Sequence, residues 1–140
     1  MIKQISLFLE NRTGRLAQVT KILADSGIDI RALSIAETSD YGILRIIVSD
    51  TDVAVNKLKE AGVTSTVTEV LGIAVADVPG GFAAAIDALS KANIDIDYIY
   101  AFISRKNGLA NVILRVGNND AAAKVLANAG IKIVSQEDIF

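Results

Sequence analysis

Residues 9–23 read LENRTGRLAQVTKIL, and residues 75–89 read VADVPGGFAAAIDAL. Each stretch leaves an alternating apolar run, turns through polar residues to a glycine, and continues with apolar residues at helical spacing. A period of two marks a strand and a spacing of three to four marks a helix, so each stretch is a strand-to-helix corner. The two corners lie 66 positions apart. The same offset sets Ile5, Leu7 and Leu9 on Leu71, Ile73 and Val75, Gly14 on Gly80, Leu16 on Phe82, Leu23 on Leu89, and Gly42 on Gly108. Beyond that glycine the offset becomes 68, with Asp52 on Asp120, Leu58 on Leu126 and Gly62 on Gly130. The chain therefore reads as a duplication, with a two-residue insertion expected in RVGNND, residues 115–120.

Working outward, IKQISLFLE alternates as a half-buried strand does, and Leu16, Val19 and Leu23 continue it as a helix that Gly27 stops. IDIRALSIAE and ILRIIVS read as strands around a DYG turn. Asp52 is a candidate N-cap for a helix that Gly62 ends, and TSTVTEV is a fourth strand. The second copy repeats the order with GIAVAD, a helix over 81–92, IDIDYIYAFIS, LANVILRV, a helix over 119–129, and IKIVS. The order is βαββαβ twice. It predicts an α+β fold of two tandem ferredoxin-like units, 1–70 and 71–140, each an antiparallel sheet with both helices on one face. The hinge EVLGIAV is too short and too apolar for a flexible linker, so one compact tandem unit is expected. The helix-free face would carry Ala32, Ser34 and Ala36 in the first copy and Tyr98, Tyr100 and Phe102 in the second. Three aromatics alternating along one strand suit an interface, so a homodimer is expected.

Composition excludes several kinds of chemistry. The 140 residues are 51% hydrophobic and 21% charged, a globular balance. There is no cysteine and no histidine, which removes disulfides, thiolate nucleophiles and the commonest general base and metal ligand. No metal, cofactor or catalytic residue is expected, and the chain reads as a non-enzyme. A net charge of −2 gives no drive for phosphate neutralisation. RNA-recognition domains stack bases on aromatics of the first and third strands, whereas ILRIIVS and LANVILRV carry none, so nucleic acid is not an expected partner. No apolar run is long enough to span a bilayer, and the first residues lack the pattern of a signal peptide, so a cytoplasmic location is expected.

A βαββαβ unit whose first corner reads N-x-T-G-x-L or D-x-P-G-x-F resembles an ACT domain, and two in tandem resemble the small stand-alone ACT-pair proteins. DVPGGF, residues 77–82, is the most specific element of that resemblance. The first copy departs from it, with Asn11 for Asp77 and Thr13 for Pro79. The resemblance implies a regulatory protein that binds a free amino acid at the first corner, across an interface between domains. Its output would pass to an enzyme or transcription factor in trans, through a conformational or assembly change.

The candidate ligand-binding residues are Asn11, Arg12, Thr13, Gly14, Arg15 and Leu16 at the first corner, and Asp77, Val78, Pro79, Gly80, Gly81 and Phe82 at the second. A helix start offers unpaired N–H groups and a positive dipole end, which suit a carboxylate. Glycine lets a ligand approach the backbone, and an Asn or Asp oxygen could accept from an ammonium group. Each residue also has a plainer reading. Asn11 and Asp77 could cap a turn, Arg12 and Arg15 could be solvated charges, and Leu16 and Phe82 read first as core residues. Val78 stands where Arg12 stands, which raises the alternative that only one corner binds. A second alternative is an interaction module that uses the open sheet face and binds no small molecule.

Overall fold

The computed structural model describes residues 1–37, 39–102 and 108–140. In chain order the elements are β1 (Ile2–Glu10), α1 (Arg15–Asp25), β2 (Ile30–Glu37), β3 (Tyr41–Val48), α2 (Thr51–Glu60), β4 (Ser65–Ala76), α3 (Gly81–Lys91), β5 (Ile96–Phe102), β6 (Leu109–Val116), α4 (Asn119–Asn128), β7 (Lys132–Val134) and α5 (Gln136–Ile139). The end of the run IDIDYIYAFIS, Ile103 and Ser104, lies outside the described residues. The fold is α+β, with two ferredoxin-like units of antiparallel strands and helices packed on one side. One compact unit comprises residues 3–68, and the other residues 69–140 together with 1–2.

In the first unit β3 lies between β2 and β1, antiparallel to both. Alternation in the strands places Ile5, Leu7 and Leu9 on the same face as Leu44, Ile46 and Val48. Val19 and Leu23 of α1 and Ala54 and Leu58 of α2 close over that face, and all are buried. In the second unit the order is β7-β4-β6-β5. Leu71, Ile73, Val75, Val112, Leu114 and Val116 meet Ala85 and Leu89 of α3 and Ala122 and Leu126 of α4. Each fully buried leucine contributes about 1.5–3 kcal/mol of transfer free energy. Both second strands slip register at equivalent places, between Ile30 and Ala32 and between Ile96 and Tyr98. The duplication thus extends to a β-bulge.

Strand register moves the insertion. Leu9 faces Gly42 and the equivalent Val75 faces Ala110, so the offset is already 68 at the start of β6. The two extra residues therefore fall between Phe102 and Leu109, not in RVGNND, and Gly42 and Gly108 are not equivalent. Glycine identity misled the alignment because both residues sit near the same turn.

The N-cap of α2 is Asp50, not Asp52: its extended backbone (φ −138°) lets the carboxylate accept from the Val53 N–H at 3.0 Å. Asp52 lies in the first turn, where a negative charge complements the dipole. Asn118 caps α4 in the same way. The short α5 was not foreseen. Ser135 and Asp138 form a reciprocal capping box there, and Ile139 is buried. Gly72 of β4 has a steric reason: a Cβ would run into Ile2 Cδ1 and lie 2.7 Å from Val134 Cγ2.

Candidate functional site

Gly14 and Gly80 are the N-cap residues of α1 and α3, and both sit at φ 87°. That left-handed conformation strains any residue with a Cβ. Neither cap supplies a side-chain hydrogen bond to its helix. Asp50, Asn118 and Ser135 do so for α2, α4 and α5. The two uncapped helices are those that begin at the two corners, so Asn11 and Asp77 do not act as helix caps. The Arg15 and Gly81 N–H groups donate within the turns, to the Arg12 and Val78 carbonyls, so only the later first-turn N–H groups are left for an anion.

At the first corner the chain is pinned by the Asn11 N–H donating to the Asp40 carbonyl at 3.1 Å, and by the Arg12 N–H donating to the Glu10 carbonyl at 2.8 Å. A cleft of about 240 Å³ opens between this corner, α1 and the end of β2. Glu10, Asn11, Arg12, Arg15 and Glu37 form its polar walls, and Leu9, Leu16, Ile35 and Gly42 its apolar part. Arg12 Nε lies 3.2 Å from Glu10 Oε2, and Asn11 Nδ2 donates to Glu37 Oε1 at 3.1 Å. Arg15 Nη1 donates to Gln18 Oε1 at 2.9 Å.

At the second corner the Asp77 N–H donates to the Gly108 carbonyl at 2.9 Å. A cleft of about 410 Å³ lies in the equivalent place, lined by Val75, Ala76, Asp77, Val78, Phe82, Ile99 and Ala101 among others. Its walls are largely aliphatic and aromatic, with Asp77 the charged side chain among its lining residues. Gly81 stands where Arg15 stands, and a Cβ at Gly81 would collide with the Ala76 carbonyl oxygen.

The structure brings Asn11, Arg12, Arg15 and Leu16 into the first cleft and Asp77, Val78 and Phe82 into the second. Thr13, Gly14, Pro79, Gly80 and Gly81 shape the turns and are not among the residues that line these two clefts. Leu16 and Phe82 are not core residues: they are 41% and 44% exposed, while Val19, Leu23, Ala85 and Leu89 fill the core below them. Leu16 and Phe82 each line their own unit's cleft instead.

Sequence reasoning missed Glu10, Ile35 and Glu37. For Ile35 and Glu37 the signal was strand parity. Leu33, Ile35 and Glu37 face Ile46, Leu44 and Gly42, so they share the helix side of the sheet. Ala32, Ser34 and Ala36 lie on the helix-free side. In the second unit Tyr98, Tyr100 and Phe102 take that side and are half-buried.

β3 also begins two residues before ILRIIVS, which brings Tyr41 into a central strand. Phe8 faces Ile43 and Glu10 faces Tyr41, so Phe8 and Tyr41 share the helix-free face, 64% and 55% exposed. Contrary to the expectation from ILRIIVS, the third strand of the first unit therefore carries an aromatic, Tyr41. Glu10 pairs with Tyr41 in register.

Among the described residues no group of three or more His, Cys, Asp or Glu could hold a metal ion, and no helix is long and apolar enough to cross a membrane. Fold and corners together define a duplicated α+β protein with a cleft beside an uncapped helix in each unit.

The chain belongs to the family described as an ACT domain pair, which matches it over residues 1–140. It is similar to the crystal structure of protein BT0572 from Bacteroides thetaiotaomicron, with 41% identity over 99% of this chain and 94% of that one, and a TM-score of 0.92. It also shares its fold with the regulatory subunit of aspartate kinase from Thermus thermophilus, at 18% identity, 91% coverage of each chain and a TM-score of 0.66. Aspartokinase alpha and beta subunits match at 16% identity, 91% coverage of each chain and a TM-score of 0.63. No curated protein matches.

Proposed function

We propose that this chain is a non-catalytic regulatory protein that binds a free amino acid at its first β-to-α corner. Residues 1–70 and 71–140 would act as its two ACT-like domains. The observation that carries the proposal is the first cleft, where cationic and anionic side chains converge beside a helix start with no side-chain cap. Asn11, Arg12, Arg15 and Leu16 line the ligand space, while Thr13 and Gly14 set the turn. The second corner, Asp77 to Phe82, repeats the backbone and carries fewer polar groups. Membership of the ACT-pair family supports the reading. So does the fold shared with protein chains described as regulatory subunits of aspartate kinase. The output is a change in conformation or assembly, passed to an enzyme or transcription factor in trans. A homodimer working in the cytoplasm is part of the same proposal.

The test is a thermal-shift screen of the purified chain against the standard amino acids, with calorimetry on each hit. A ligand that binds only the folded state stabilises it by mass action, about 2.7 kcal/mol at a concentration one hundred times its dissociation constant. One stereospecific hit supports the reading. No shift at millimolar concentration favours the second reading, a protein-interaction module on the open sheet face. Exposed Phe8 and Tyr41 favour that alternative.

A further inference from the structure

The charges around the first cleft do not all remain free for a ligand. Glu10 and Arg12 neutralise one another through their 3.2 Å contact. Arg15 and Glu37 do not. Among the described residues neither has an ion-pair partner: Arg15 holds only the neutral Gln18 amide, and Glu37 accepts only from the neutral Asn11 amide. Arg15 Nε is moreover buried with no acceptor. An unpaired buried donor is costly, so the guanidinium gains by turning to meet a carboxylate. One cation and one carboxylate are thus left over on the walls of a single cleft, and Leu9, Leu16 and Ile35 supply apolar surface between them.

We infer that the first cleft selects the zwitterion of an amino acid with an uncharged, apolar side chain, Arg15 taking its carboxylate and Glu37 its ammonium group. This rests on the proposed amino-acid binding and specifies which class of amino acid is bound. A zwitterion has one group of each sign, matching the two unpaired wall residues. A lysine- or aspartate-like side chain would bring a third charge against Leu16 and Ile35, where Glu10 and Arg12 already neutralise one another and desolvation opposes it. The second cleft lacks the cation of the pair, because Gly81 replaces Arg15 and cannot carry a side chain without striking Ala76. The inferred recognition therefore belongs to the first unit alone.

The experiment is calorimetric titration of the full chain with leucine, methionine, lysine and aspartate, and with leucinamide and N-acetyl-leucine, which lack one charged end each. Leucine or methionine is expected to bind at least about tenfold more tightly than lysine or aspartate, and to lose about tenfold or more when either end is blocked. Arg15→Gln and Glu37→Gln then complete a cycle. Arg15→Gln should weaken leucine while leaving leucinamide nearly unchanged, and Glu37→Gln should weaken leucine while leaving N-acetyl-leucine nearly unchanged. Arg15 is half-buried and Glu37 exposed, and an unchanged melting temperature of each free variant verifies its fold. Tightest binding of lysine or aspartate would overturn the inference and leave amino-acid sensing standing. So would variants that weaken every ligand equally. Binding of none of the six ligands overturns this inference, and failure of the remaining amino acids too would remove the sensing proposal with it.

Discussion

The two corners share a backbone and differ in what surrounds it. Gly14 and Gly80 have the same φ of 87°, both helices start without a side-chain cap, and both second strands carry a bulge at the matching position. Around that common frame the first unit places Glu10, Arg12 and Arg15, and the second places Ala76, Val78 and Gly81 at the equivalent positions. Turn geometry is therefore retained separately from side-chain chemistry. The corner with the stronger motif, DVPGGF, has the poorer set of polar groups. Its Pro-Gly-Gly secures a tight turn, in which Gly81 lies directly against the Ala76 carbonyl. The corner with the weaker motif, NRTGRL, has room at the same position for an arginine.

The comparison breaks most visibly in the two cores. Leu23→Ala and Leu89→Ala remove equivalent buried side chains and should each cost about 2–5 kcal/mol in urea unfolding. If one of them proved neutral, the structural equivalence of the repeats would fail. A smaller effect separates the corners. Gly81→Ala forces a Cβ against the Ala76 carbonyl and should destabilise by about 1–3 kcal/mol. Arg15→Ala at the matching position should change stability by less than about 0.5 kcal/mol. Equal costs in the two variants would show that the turns are the same after all. Gly14→Ala and Gly80→Ala should cost alike, about 1–2 kcal/mol each, since neither meets an atom within 4 Å and both pay only for a left-handed backbone.

The smallest effect concerns one ion pair that the duplication reversed. Lys21 Nζ lies 2.9 Å from Asp25 in α1, whereas Lys91 Nζ lies 2.8 Å from Asp87 in α3. An acid one turn before a base suits the helix dipole better than the reverse order. The pKa of Lys91 is raised above 10.5, first by the hydrogen bond to Asp87 and second by its charge. A raised lysine pKa means that the pair's stabilisation is complete below 10.5 and lost as pH climbs through the folded value. Lys91→Met should therefore lower the melting temperature slightly at neutral pH and not at all above that value. Asp25→Asn should leave the melting temperature unchanged or raise it slightly. A larger loss from Asp25→Asn would contradict the dipole argument.

Much of the fold was legible because its signals are local. Strand alternation, helical spacing and the glycines after α1, α2 and α4 delimit nearly every element of both copies, with Asn93 in the glycine's place after α3. What escaped depends on contacts between distant residues. The insertion could not be placed until register set Leu9 against Gly42 and Val75 against Ala110. Asp50 and Asp52 both fit an N-cap pattern, and only the extended backbone at Asp50 decides between them. Leu16 and Phe82 obey the core periodicity, yet both are exposed and line the clefts. At the site, the corner residues were readable from their motif. Glu37 was not, because it enters from another strand, 26 residues away in sequence from its hydrogen-bond partner Asn11.

The asymmetry of the corners is tested most directly by the calorimetric stoichiometry of the amino acid that binds, measured on the full chain and on Arg15→Gln. The account predicts one ligand per chain, with binding weakened at least about tenfold by that substitution. Two equivalent ligands per chain, or one whose affinity ignores Arg15, would contradict it.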